Sequence, residues 1–372
     1  MRLIGYELKK LCGLKILWIL LAICLGVNVF FCASAAQKSA TKLLPSDQAA
    51  IIFDAYRADP EGTVADMEAY FAEEERLLQL QMEMIMNGLE SDEELTFPEQ
   101  EDVYSTDPDI SDERLFSALQ TAMRATINYD KTLDEVIATA NQNILRCKLM
   151  GNAESSFVYV VQLDTIARYT HLQDCVEPQL EYIRGWDGYF SYHRGNIILL
   201  FAVILICSMV FVYDREMRFF PLLRTTAKGR TGIAVSKLTA AMIAVCAVCL
   251  LITLSNLIVF GGICGFSSAT NAIQAIPSLV LCPLKLSVWQ GVLLVLGIQM
   301  LVFCAFAMVL LTCSLLFSSY APVYLCGLGL YALNYLLRAF PYSSANVPTR
   351  YVNLISATNY AQVVQWVRAV VL

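Results

Sequence analysis

Charge is scarce in this sequence, and the places where it is missing decide the class of protein. Only 16% of the 372 residues are Asp, Glu, Lys or Arg, against roughly 25% in an average soluble domain. With 57% hydrophobic residues beside that shortage, the composition argues against a wholly soluble chain. Histidine is nearly absent, with His171 and His193 alone and no H-E-x-x-H spacing, so a zinc or haem site is not expected. Neither G-x-S-x-G nor G-x-x-x-x-G-K-[ST] occurs, which removes the hydrolase elbow and the phosphate-binding loop. Asp107, Asp109 and Ser111 imitate the start of a calcium loop, yet its sixth position holds Asp112 instead of glycine and its twelfth Ala118 instead of glutamate. No metal, no cofactor and no catalytic residue is expected on this chain, and no nucleic acid as a partner.

What is present is long uncharged runs. Ile16–Ala36, Ile197–Tyr213 and Leu238–Phe260 carry no charge over 21, 17 and 23 residues, lengths suited to a hydrocarbon core of about 30 Å at about 1.5 Å per residue. Leu286–Leu337 is uncharged for 52 residues, too long for one crossing, and breaks most naturally at Phe317-Ser-Ser-Tyr-Ala-Pro322. The reading is five membrane helices, over 16–36, 197–213, 238–260, 288–316 and 321–337. The first run exceeds the core of about 7 to 15 residues of a cleaved signal peptide, despite an Ala33-Ser34-Ala35 that resembles a cleavage site. No Asp, Glu, Lys, Arg or His lies inside any of these spans, so ion-coupled transport is not expected. Asn28, Asn256, Gln290, Gln299 and Asn334 are left as polar membrane residues, each either helix-to-helix glue or part of a translocation path.

The net charge of −7 hides a partition: residues 37–195 hold 30 of the 33 acids and 12 of the 26 bases, −18 in all, and the rest of the chain carries +11. Arg2, Lys9, Lys10 and Lys15 precede the first span, and the segment from Asp214 to Lys237 carries six bases, Lys237 included. Basic flanks of this kind stay in the cytoplasm, which puts the N-terminus inside and the acidic block 37–195 outside a cell membrane. Five crossings leave Arg338, Arg350 and Arg368 in an outer segment, 338–372, against the charge rule; the expectation is a sixth helix beyond the given chain.

The acidic domain reads as helical. Leu115, Leu119, Ala122, Thr126, Tyr129, Leu133, Val136 and Ala140 alternate spacings of four and three and trace a coiled-coil-like seam. A helix over Val64–Leu89 precedes it, a mobile acidic loop over Glu90–Asp112 separates the two, and a third helix over Ser155–Ile183 leads to the second span. Cys147 and Cys175 would sit about 27 Å apart along such a hairpin, beyond the ~7 Å between alpha carbons that a disulfide tolerates. The fold class is thus all-α: a polytopic membrane bundle with a helical extracellular domain.

One cytoplasmic stretch is informative. Segment 214–237 combines Asp214-Arg215-Glu216, an amphipathic Phe219-Phe-Pro-Leu-Leu223 and a basic turn at Lys228-Gly229-Arg230; on the residues alone it reads equally as an interfacial helix or a generic basic loop. It resembles the intracellular segment of ABC transporter permeases of the type-2 exporter family, in which a Glu is followed by Leu-Leu, Thr, Gly-Arg and a Lys opening the third helix. Glu216, Leu222, Leu223, Thr226, Gly229, Arg230 and Lys237 stand at the matching places, while Arg218 stands where the family commonly has glycine. Tyr6-Glu7-Leu8-Lys9-Lys10 and Trp186-Asp-Gly-Tyr-Phe190 also look like the bacterial members with a large outer domain between helices one and two.

The resemblance implies a permease subunit, an exporter without its own ATP site, whose segment 214–237 docks on a separate ATP-binding cassette ATPase carrying ATP and Mg. Glu216 and Arg230 would position that segment, with Arg224, Lys228 and Lys237 available to the ATPase, and a second permease copy or homologue would complete the path. The alternative is a membrane sensor or scaffold whose acidic outer domain binds an extracellular partner.

Overall fold

A computed structural model describes residues 2–40, 51, 54–56, 58–86, 120–149, 157–180, 185–216, 229–266, 268–317 and 319–339. Every element among them is helical, and the one strand-like feature is an isolated bridge between Ala272 and Ser287. In chain order the helices are α1 (Arg2–Gly13), α2 (Lys15–Ala40), α3 (Pro60–Met86), α4 (Tyr129–Leu149), α5 (Phe157–Cys175), α6 (Trp186–Ser191), α7 (Arg194–Glu216), α8 (Gly229–Ile263), α9 (Val288–Leu316) and α10 (Tyr320–Ala339). Four of them, α2, α7, α8 and α9, are long and apolar enough to cross a membrane, which fits a multi-pass membrane protein.

The spans grow out of the uncharged runs but outlast them. Backbone hydrogen bonding continues past the last apolar residue, so α7 reaches from Arg194 to Glu216 and α8 begins at Gly229, eight residues before Lys237. The expected break before Pro322 is present: α9 ends at Leu316, where the Phe317 N–H closes on the Cys313 carbonyl at 3.1 Å. Helix α10 then starts at Tyr320, with Pro322 in its first turn, where a missing N–H costs nothing. Within the described part, α10 packs on α7 and α9.

Helix α7 is the hub. Of its apolar window 78% is buried, against 17% for α2, 33% for α8 and 39% for α9. Its Leu199, Leu200, Val203, Ile206 and Cys207 meet Ala240 and Val245 of α8 and Phe303, Ala307 and Leu310 of α9 in one cluster. The bundle is thereby wrapped around one helix, and most of α2 faces outward.

Outside the bundle, α4 and α5 form an antiparallel pair. Tyr129 and Leu133 of the expected seam are buried against Tyr169 and Leu172. The seam is not one continuous helix, however. Residues 126–128 form a turn, in which the Asn128 N–H donates to the Met123 carbonyl at 2.9 Å and the Thr126 hydroxyl donates to the Ala122 carbonyl at 2.7 Å. The third expected helix also stops early, at Cys175, because Glu177 precedes Pro178 and is pushed out of the helical region. Cys147 and Cys175 are both free thiols. Leu115, Leu119 and the loop 90–112 lie outside the described residues.

Trp186, Tyr189, Phe190 and Tyr192 do not form a lipid-facing belt. All four are buried, packed with Cys32, Ala36, Phe260, Cys264 and the loop that joins α8 to α9. Trp186 stacks on Phe266 with ring centroids 4.0 Å apart. Gly185, at φ 72°, permits the turn into α6, and a Cβ there would come within 2.7 Å of the Gly265 carbonyl.

Candidate functional site

Two polar assemblies sit at opposite ends of the bundle. The first is built on α1. Ile4, Leu8 and Leu11 recur at helical spacing and turn that helix toward the bundle, which carries Glu7 inward with them. Glu7 is 9% exposed, and Lys237 near the start of α8 is 3% exposed. The Lys237 ammonium lies 3.8 Å from Glu7 Oε2, donates to the Val210 carbonyl of α7 at 3.3 Å and stands over the Phe211 ring at 5.5 Å. Beside it, Lys10 lies over the Tyr213 ring at 5.4 Å. A buried ammonium is tolerable only when paired and hydrogen-bonded, and here its partners come from two different helices. The start of α8, the end of α7 and the N-terminal helix are tied at one point.

Burial sets the titration of this cluster. It raises the pKa of Glu7, an effect that the Lys10 charge partly offsets. Burial also lowers the pKa of Lys10, with Glu7 acting in the opposite sense.

The second assembly lies about 28 Å further along α8, nineteen residues past Lys237. Asn28 of α2 donates to Asn256 Oδ1 at 2.7 Å and to the Ser255 hydroxyl at 3.0 Å. Gln299 of α9 donates to Asn196 Oδ1 of α7 at 2.8 Å and accepts from the Thr253 hydroxyl at 3.2 Å. Gly195 closes the set: a Cβ there would stand 3.0 Å from Asn28 Oδ1 and 3.2 Å from Asn256 Nδ2. Asn28 Oδ1 itself is buried and receives no hydrogen bond. Four helices are thus joined by uncharged amides and hydroxyls that bond one another.

The expected site residues separate accordingly. Asn28, Asn256 and Gln299 come together in this belt. Gln290 does not join them; it closes a capping box with Ser287 at the start of α9. Lys237 stands in the first assembly. Arg224 and Lys228 lie outside the described residues, as do the side chains of Glu216, Arg230 and Asn334. Sequence reasoning missed Glu7, Asn196, Ser255 and Thr253. Two signals were available: Glu7 is one of only three acids outside 37–195, and Thr253 sits one helical turn before Asn256.

At the belt's end of the bundle the α4–α5 pair docks on the α8–α9 connection. The Tyr169 hydroxyl donates to the Leu281 carbonyl at 2.8 Å, Asn271 donates to the Gln179 carbonyl at 2.9 Å, and the Ser278 N–H reaches Asp187 at 3.1 Å. Among the described residues no three His, Cys, Asp or Glu side chains are grouped to hold a metal ion. Compared with known proteins, the chain matches no family model, no curated protein and no solved structure.

Proposed function

We propose that the chain is the membrane-spanning permease subunit of an ATP-binding cassette exporter, working as a pair with a second copy or a homologue and energised by a separate ATPase. The observation that carries this reading is the tie between Glu7, Lys237 and the Val210 carbonyl. It gathers both flanks of segment 217–228 and the N-terminal helix into one unit, so a force applied to that segment reaches α1, α7 and α8 together. The likeness of Glu216, Leu222, Leu223, Thr226, Gly229, Arg230 and Lys237 to the exporter pattern supports the same reading. In it, α10 serves as a fifth span, the N-terminus and segment 214–237 face the cytoplasm of a cell-membrane protein, and the acidic helical domain lies outside. ATP and Mg belong to the partner.

Copurification with an ATP-binding cassette ATPase, sought first in the reading frames next to the chain's gene, tests the proposal. Retention of the ATPase by the intact chain and its loss on deletion of Arg215 to Arg230 is the expected result; equal retention by both forms would sink the reading. The alternative, a non-transporting sensor or scaffold, draws on the docking of α4 and α5 on the α8–α9 connection. Such a protein would bind its outer partner and retain no ATPase.

A further inference from the structure

Helices α9 and α10 run antiparallel, joined only by residues 317–319. Across this joint Cys313 Sγ and Cys326 Sγ lie 3.1 Å apart, both half-buried. The register is held by packing: a Cβ at Gly327, next to Cys326, would stand 2.9 Å from Ile204 of α7 and 3.2 Å from Leu310 of α9. A disulfide bond is about 2.05 Å long, so closure asks for a movement of only about 1 Å. Cys313 is three residues from the end of α9, and so nearer the aqueous edge of a span than a thiol midway along it. A second thiol pair, Cys246 and Cys304, is 3.6 Å apart but lies midway along α8 and α9, with the buried Cys207 and Cys249 nearby.

We propose that Cys313 and Cys326 form an oxidation site, a dithiol that hydrogen peroxide converts to an intramolecular disulfide fixing α10 to α9. One thiolate attacks the peroxide, the O–O bond breaks, and a sulfenic acid and hydroxide form. The second thiolate attacks the sulfenic sulfur, the S–O bond breaks and hydroxide leaves as the S–S bond forms. The two protons of the thiols convert both hydroxides to water. Two thiols lose two electrons and the peroxide gains them. The inference stands independently of the transport reading, because it rests on the sulfur geometry alone.

The test uses the full chain in lipid nanodiscs, titrated with hydrogen peroxide, then unfolded, alkylated with a maleimide, digested and read by mass spectrometry. The expected product is a Cys313–Cys326 cross-link lighter by two hydrogens, reversed by dithiothreitol and formed at a lower dose than any other pairing. Cys246 and Cys304 should still be alkylated at that dose. Hydrogen exchange across α10 should slow on oxidation, and this slowing should vanish in Cys313→Ser and Cys326→Ser. Recovery of both cysteines as maleimide adducts at doses that oxidise the exposed Cys12, their recovery as separate sulfinic acids, or prior formation of a Cys246–Cys304 bridge would each overturn the proposal. The wild-type cross-link is decisive by itself, so the test holds even where a serine variant folds poorly.

Discussion

Removing both members of the Glu7–Lys237 pair should cost less than the sum of the two single removals. The two charges are 3.8 Å apart, with side chains 11% and 3% exposed, so at an effective dielectric constant of about 20 their attraction is about 4 kcal/mol. The raised pKa of Glu7 shows that desolvation works against that gain. Such a pair adds little net stability, yet it strands a buried charge when halved, a loss of about 3 to 5 kcal/mol in fully buried cases. Here Lys237 keeps the Val210 carbonyl and the Phe211 ring, and Glu7 without Lys237 is free to take up a proton. Glu7→Gln and Lys237→Met are each expected to destabilise by about 2 to 3 kcal/mol. The double variant, which buries no charge at this point, should recover at least about 1 kcal/mol of the sum of the two losses. Reversible unfolding in mixed micelles with rising dodecyl sulfate, followed by tryptophan fluorescence, supplies the three free energies. Losses that add to within about 0.5 kcal/mol would refute the coupling, and with it the idea that α1, α7 and α8 are fastened at this point.

Other outcomes follow from the same geometry. Asn28→Leu deletes two hydrogen bonds to α8 and should cost about 1 to 2 kcal/mol, at about 0.6 kcal/mol and at most about 1.7 for each interhelical bond; unchanged unfolding would show that the belt is not holding α2. Gly195→Ala sets a methyl group 3.0 Å from Asn28 Oδ1 and should destabilise by about 1 to 3 kcal/mol through overpacking, read in the same titration. Because burial raises the pKa of Glu7 above the ordinary 4.5, the folded state holds that proton more tightly than the unfolded one. Its contribution to stability is full below 4.5 and is lost as the pH rises through the raised value, so melting temperature should fall across that window and Glu7→Gln should flatten the fall.

The difference between what was legible and what was not lies in range. Helix α9 could be bounded from local signals alone: the uncharged run and the break at Phe317–Pro322 coincide with Val288–Leu316, which Ser287 caps in the structure. Lys237 could not be read that way. Counted along the chain it is one more cytoplasmic base, which the charge rule treats as wet, and its burial depends on a glutamate 230 residues earlier. The periodicity of α1 orients its apolar face but carries no record of which helix that face meets. The burial of Trp186, Tyr189 and Phe190 is equally a matter of range. Aromatics beside a span read as interfacial anchors unless a loop from elsewhere, here residues 264–287, folds over them. The amide belt falls between these cases. Asn28, Asn256 and Gln299 were visible as polar residues in apolar runs, whereas Asn196 stands one residue before its run, and the choice between glue and path turned on partners that only the packing supplies. Asn28 bonding Asn256, and Gln299 bonding Asn196, leave each amide answered by another helix. Any translocation step that used the belt would therefore first have to break these bonds, which makes their strength, rather than the presence of the amides, the quantity that bears on transport.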